Sequence, residues 1–498
     1  MKRHMFFLVI HGLFWFLLAQ PPLVWTRVYD RSTADYAFGV STDDANNIVV
    51  AGSSYNGVDY DFCTVKYTPA GDTIWTRIYD AGGSDIARGV IVDGNNDIVV
   101  TGASRLDTIY DYLTVKYDAA GNLLWQTRYE TGLDKFATSA VADSARNVIV
   151  TGYAFNGFDY DYLTVKYNAG GDTIWSRRFD AGFNDLANDL TADPMGNIIV
   201  TGSSVDTSIN RHTYLTVKYS PDGETLWTRR YQHETWHSFA YAVAADAECN
   251  IIVTGNPWYP AKFITLKYDS LGDMLWLRQH VPGYITEYYA RDVAVDQQND
   301  IIVTCEYYYG ASFDYYTFKY TSAGDSVWTS IYGSGSGIDE YAQGVACDAV
   351  GGIVVTGYVF NNGNIDYLTV KYDEQGAVAE QMLLPVRTNE IELHAPWPNP
   401  FRHTTTIRYS LPVSLASLGE AGDAGCAESE IRMSNLEMRT PALNIYDAAG
   451  RLVKSFNHGA VVVWDGIDDS GRNLPGGVYF VRLETPQGCL TRKIIKLR

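Results

Sequence analysis

A period of about fifty residues constrains this chain more than any other feature, because self-similarity at that spacing marks stacked or radial repeat folds. Trp recurs at 25, 75, 125, 175, 227, 276 and 328. A T-V-K-Y string or close variant ends at Tyr67, Tyr117, Tyr167, Tyr219, Tyr268, Tyr320 and Tyr372. An apolar run closes at Gly52, Gly102, Gly152, Gly202, Gly255, Cys305 and Gly357. An Asp stands at 43, 93, 143, 193, 246, 296 and 348. Four markers kept in register through seven copies exclude chance.

Each unit reads as four strands, as in Ala87–Asp93, Ile98–Gly102, Asp111–Tyr117 and Leu123–Tyr129. The second and third are apolar or β-branched on both faces, the pattern of strands covered on both sides. Turn residues such as Gly94-Asn95-Asn96 separate them, and no stretch carries a helical period. The expectation is an all-β chain with a seven-bladed β-propeller over residues 20–384, each blade sandwiched between neighbours. The last unit has lost its Trp-bearing outer strand at Ala377–Leu383. The chain start offers an unattached one at Trp25–Asp30, which is expected to complete the seventh blade.

Lys2, Arg3 and His4 precede an uncharged run from Met5 to Leu18 and then Ala19, the order of a secretory signal peptide, expected over residues 1–19. The run is shorter than the ~20 residues a spanning helix needs, and no later segment qualifies. The protein is therefore expected outside the cytoplasm, secreted or at the outer-membrane surface, with no transmembrane segment after cleavage. Its six Cys have no paired spacing, and most read as small buried hydrophobes.

The strings A-x-G-V-x-x-D, G-N-I-I-V-T-G (Gly196–Gly202) and D-Y-L-T-V-K-Y-D-x-x-G (Asp111–Gly121) resemble the bacterial SBBP β-propeller repeats over residues 25–384. The resemblance implies a fold and an extracytoplasmic setting and carries no catalytic residues. Past a linker at 385–397 the composition changes. P-N-P-F (Pro398–Phe401), T-T-I-R-Y-S-L-P (Thr405–Pro412), L-N-I-Y-D-A-A-G-R-L-V (Leu443–Val453), V-W-D-G-I-D-D-S-G-R (Val463–Arg472) and G-G-V-Y-F-V-R-L (Gly476–Leu483) follow in order. Together they resemble the C-terminal sorting domain of type IX secretion, related to FlgD Ig-like modules. The implied module is a small Ig-like β-sandwich over 398–498, with export by the type IX machinery. A flexible insertion at 413–441 departs from that family's pattern.

Charge divides with the domains. Residues 394–498 hold 12 Lys and Arg against 10 Asp and Glu, whereas residues 20–393 hold 24 against 48. So acidic a propeller excludes nucleic acid as a partner. His233-Glu234-Thr235-Trp236-His237 matches a zinc-protease string, but that chemistry needs a helix and the repeat places a turn there. The repeated Lys of T-V-K-Y needs a partner inside the blade, which the Asp or Glu in several following turns could supply. The repeated Asp caps a tight turn. The only metal expectation is calcium at the paired acids Asp59 with Asp61 and Asp159 with Asp161; no other cofactor is expected.

Binding is expected where the repeat varies, on the rim carrying the connections after the second and fourth strands. Trp236, Trp258, Tyr259, Tyr307 and Tyr308 are the candidate ligand-binding residues, and Tyr55, Phe155, Phe158, Tyr284 and Tyr309 share that rim. The reading is a monomeric, non-enzymatic binding or adhesion scaffold for glycan or protein at the cell surface. The rival is a secreted hydrolase or lyase in the central pocket, for which Asp35, Asp85, Asp185 and Glu340 are the acids at the first-strand entrance. A purely structural surface-layer component is the third reading.

Overall fold

The computed structural model describes residues 21–31, 34–233, 235–258, 262–280, 288–309, 312–334, 338–361, 363–373, 392–393, 405–410, 442–456, 461–485 and 488–497. The expected signal peptide and the 413–441 insertion lie outside them. The chain divides into two compact units, Met1–Met382 and Leu383–Arg498. Every regular element among the described residues is a strand.

The first unit contains seven four-stranded antiparallel sheets among its described residues. Six are made of four consecutive strands, for example Asp85–Val92, Ile98–Leu106, Ile109–Tyr117 and Leu123–Tyr129. Local chemistry sets the turns. Asp93 Oδ1 accepts the backbone N–H groups of Asn95 and Asp97, and Asn96 takes a φ of 62°. Side chains that bond their own turn in this way fix its geometry. Alternate residues of one strand enter different cores. Ile98 and Val100 pack with Val49 and Ala51 of the preceding sheet, and Val99 packs with Val148 and Val150 of the following one. Full burial of such side chains contributes about 1.5–3 kcal/mol each. The glycine of the third marker is demanded by close approach, since a Cβ on Gly102 would lie 2.0 Å from the Ile86 carbonyl oxygen.

The seventh sheet takes its outer strand from the chain start. Leu23–Tyr29 pairs antiparallel with Asn364–Asp373, from Leu23 opposite Tyr372 to Tyr29 opposite Tyr367. The innermost strands, beginning with Asp35–Thr42 and ending with Asp339–Cys347, contact one another in sequence, and the last returns to the first. The sheets thus close in a ring, as in a β-propeller.

Two repeat markers join neighbouring sheets. Trp25, Trp75, Trp125, Trp175, Trp227 and Trp276 donate their indole N–H to a turn carbonyl of the next sheet, at Pro69, Ala119, Ala169, Pro221, Ser270 and Ser322. The repeated Lys finds its partner in the repeated Asp of its own unit. The seven pairs run from Lys66–Asp43 to Lys371–Asp348, with N–O distances of 2.6–2.9 Å. The partner comes from the turn after the first strand, not from the expected turns that follow the third.

The second unit contains, among its described residues, a three-stranded and a four-stranded sheet. Leu393, Ile407 and Trp464 from the first share a core with Leu443, Ile445, Val481, Leu483 and Ile494 from the second. Glu392–Leu393, within the stretch read as linker, pairs with Thr405–Ser410.

Candidate functional site

Each innermost strand carries a β-bulge, as between Ala37 and Gly39 or Ala87 and Gly89. A bulge re-aims a side chain, and the re-aimed residue is the one the repeat does not hold constant. It is Phe38, Arg88, Thr138, Asn188, Tyr241, Arg291 and Gln343 in turn. These side chains reach around the inner ring. The Arg88 guanidinium lies 4.1 Å over the Phe38 ring. Arg291 Nη2 donates to Glu306 Oε2 at 2.9 Å, and Gln343 Nε2 donates to Glu306 Oε1 at 2.6 Å. Arg291 also lies over the rings of Tyr241 and Tyr289. Burial lowers the pKa of Arg88, and Arg291 adds to the lowering. The two cations therefore share one electrostatic environment.

Aromatic rings continue from this inner ring toward the loop rim. Tyr55 contacts Tyr60, Tyr60 contacts Tyr36, and Tyr36 meets Tyr358 at 5.1 Å. Tyr358 stacks on Tyr341, Tyr341 meets Phe313, and Phe313 meets Tyr308, each near 5 Å. All seven rings are half-buried, so they present faces while being held in place. A second run joins Tyr110, Phe136, Tyr153, Tyr160 and Phe155. Held aromatic faces beside a few polar groups suit ligands that offer apolar C–H surface and hydroxyls.

The expected binding residues separate. Tyr308 ends the first aromatic run. Trp258 is 74% exposed, and its ring lies 5.6 Å from His237, which contacts His212. Trp236 is 41% exposed. Tyr307 is in the core, 5% exposed and stacked on Tyr316, because alternation along Ile301–Tyr309 turns it inward. Tyr259 and Tyr284 lie outside the described residues. Among the described residues of the H-E-x-x-H string none is helical; His237 Nδ1 accepts the His212 N–H at 3.1 Å, and Glu234 lies outside them.

Each pair of acids shares one amide, Asn56 donating to Asp59 and Asp61 and Asn156 to Asp159 and Asp161. Asp61 and Asp161 are buried and also meet acids of the fourth-to-first-strand connection, Asp80 with Asp85 and Asp180 with Asp185. The entrance acids cap that same connection. Asp35, Asp85 and Asp185 accept the N–H of Arg31, Ala81 and Ala181, and Glu340 accepts that of Ser334. Lys135, Ser238 and Tyr288 hold their register in the other sheets, so these acids vary within the repeat. Asp189 and Asp292 depart from it on the inner strands. Burial raises both, and Asp189 raises Asp292 further. Each accepts a backbone N–H of the next inner strand, from Val243 and Val345.

No family model and no curated protein matches the sequence. Solved structures do. At 13% identity and TM-score 0.41 the chain is similar to PorZ, an essential bacterial surface component of the type IX secretion system of Porphyromonas gingivalis. That match covers 92% of this chain and 59% of PorZ, so the chain spans less than two thirds of it. The β-propeller domain of the trilobed protease from Pyrococcus furiosus is similar at 10% identity and TM-score 0.42, over 68% of this chain and 94% of that one. YCF48 bound to D1 peptide is similar at 10% identity and TM-score 0.45, over 72% and 98%. None of the three reaches a TM-score of 0.5. Among the described residues no helix is long and apolar enough to cross a membrane.

The axial arginines and the Tyr36–Tyr358–Tyr341 wall were missed from sequence. The arginines' signal was present as unequal residues at the bulged register of the first strand, and the tyrosines' at two further registers, one on the first strand and one on the second. The first could be recognised only by knowing that it is bulged toward the axis.

Proposed function

We propose that this chain is a secreted seven-bladed β-propeller that binds glycan at the cell surface without turning it over. The observation that carries the reading is the aromatic run from Tyr55 to Tyr308, beside Arg88, Arg291 and Glu306 on the inner ring. Pyranose rings stack on such faces, and their hydroxyls pair with guanidinium and carboxylate groups. The acidity of the propeller argues against polyanionic ligands. The sequence motifs of residues 398–498 and a two-sheet core support export through an Ig-like type IX sorting domain.

A glycan array probed with the full chain tests the binding, followed by calorimetry on each hit. Tyr36→Ala combined with Tyr358→Ala is expected to weaken the best hit at least tenfold, consistent with ~1.5 kcal/mol or more from stacked rings. Trp258→Ala, remote from the run, is expected to leave it within twofold. Equal loss in both variants, or none in either, sinks the placement. The Asp189–Asp292 pair supports the second reading, a hydrolase. Turnover of an array hit that Asp292→Asn abolishes would establish that reading and overturn the first. Deleting residues 442–498 is expected to leave the propeller inside the outer membrane, as measured by fractionation; unchanged surface display removes the sorting role.

A further inference from the structure

Where the fourth strand of one sheet leads into the first strand of the next, three carboxylates converge. At Asp161, Asp180 and Asp185 one oxygen from each lies within 4.8 Å of the others. That is the reach of a single ion with oxygen ligands at about 2.4 Å. Asp161 is 1% exposed and Asp185 0%, whereas Asp180 is open to solvent. Asp161 Oδ2 is occupied, accepting from Arg178 Nη1 at 2.7 Å and Asn156 Nδ2 at 3.0 Å. Asp161 Oδ1 is buried and accepts no hydrogen bond. A buried carboxylate oxygen without a donor is costly unless a cation faces it.

The preceding repeat shows what faces it. There Asp111 stands for Asp161, Glu130 for Asp180, Arg128 for Arg178, and Lys135 replaces Asp185. The Lys135 ammonium, 0% exposed, lies 2.8 Å from Asp111 Oδ1, while Asp111 Oδ2 faces Arg128 Nη1 at 4.0 Å. The same oxygen that is orphaned at Asp161 is thus met by an internal cation at Asp111. With Lys135, two acids and two bases balance. With Asp185, three acids face one base, a deficit of two positive charges.

We propose that Asp161, Asp180 and Asp185 bind a calcium ion in the place that Lys135 fills one repeat earlier; Asp61 with Asp80 and Asp85, and Asp366 with Asp30 and Asp35, converge in the same register. All-oxygen carboxylate donors select a hard divalent cation, and calcium accepts the irregular coordination of a surface-connected cleft. The ion ties the third strand of one sheet to the first strand of the next, the junction that the Lys135–Asp111 ion pair ties one repeat earlier.

Asp185→Lys in the full chain transplants the Lys135 arrangement and tests the site. Equilibrium dialysis of EDTA-treated protein against radiolabelled calcium counts ions per chain, and thermal melts with and without 10 mM calcium read the coupling to folding. The wild type is expected to gain about 3 °C with calcium. Asp185→Lys is expected to bind one ion fewer and to melt no lower than the wild type without calcium. Asp180→Asn, at an exposed position, is expected to weaken that one ion at least tenfold with no change in the calcium-free melt, which keeps the test open if Asp185→Lys does not fold. An unchanged count in both variants, no bound calcium in the wild type, or magnesium binding at least as tightly as calcium overturns the proposal.

Discussion

Deleting residues 20–30 will lower the melting temperature of the first unit by about 10 °C or more, followed by circular dichroism. The deletion removes the whole outer strand of the seventh sheet, with its ladder to Asn364–Asp373. It also removes Trp25, which is 8% exposed and packs with Val50, Val65, Val354 and Tyr367. Losing a buried Trp costs about 3–5 kcal/mol, and each orphaned backbone group adds about 1 kcal/mol. Two further ties to the next sheet go with it, the Trp25 indole to Pro69 O at 3.0 Å and Arg27 Nε to Gly71 O at 2.7 Å. Trp75→Ala makes the internal comparison. Trp75 holds the same register, but its strand is covalently continuous with its sheet, so only the cavity cost of about 3–5 kcal/mol applies. The deleted chain also exposes a strand edge, which invites association. A synthetic peptide of residues 20–30 is therefore expected to restore most of the lost melting temperature. An unchanged melt after the deletion would show that the ring does not depend on this latch.

The ring was legible in the sequence because its stabilising groups are periodic. A residue that must staple every sheet to the next, such as Trp75 to Ala119 O, has to recur at the repeat spacing. The latch was legible for the same reason, as one Trp-bearing strand missing at the end and one spare at the beginning. The candidate site was not, because binding groups sit where the period fails. Tyr36, Tyr341 and Tyr358 come from two different sheets and meet only once the ring closes. Tyr307 looked like a loop aromatic, but the strand Ile301–Tyr309 runs on through it, and strand parity decides which of Tyr307 and Tyr308 faces the core. The acids show the same limit. Asp159 and Asp161 are neighbours in sequence and share the Asn156 amide, yet the carboxylates that converge on Asp161 are Asp180 and Asp185 from the next connection.

The second large effect concerns the repeated Lys–Asp pair, and its sign changes with pH. Lys218 Nζ lies 2.8 Å from Asp193 Oδ2, the two side chains being 3% and 0% exposed. The ammonium also donates to Ser270 O of the next sheet at 3.1 Å. Breaking a buried pair by removing one partner costs about 3–5 kcal/mol, whereas removing both costs far less. Lys218→Met is expected to lower the melting temperature at pH 7 by about 5 °C, and Lys218→Met with Asp193→Asn to regain more than half of that. In the wild type, desolvation works to raise Asp193, but hydrogen bonds from Lys218 and Asn197 outweigh it and hold the carboxyl below its usual value. A carboxyl depressed by folding contributes stability above its unfolded pKa of about 4, and that contribution is lost as pH falls through the lower folded value. Without Lys218 only desolvation and the turn hydrogen bonds remain, and the folded pKa rises above the unfolded one. The dependence then reverses. Lowering the pH from 7 to 5 is expected to raise the melting temperature of Lys218→Met relative to the wild type, because protonation removes an uncompensated buried charge. Parallel melting curves for the two proteins between pH 5 and 7 would show that Asp193 is neutralised by something other than the lysine of its own repeat.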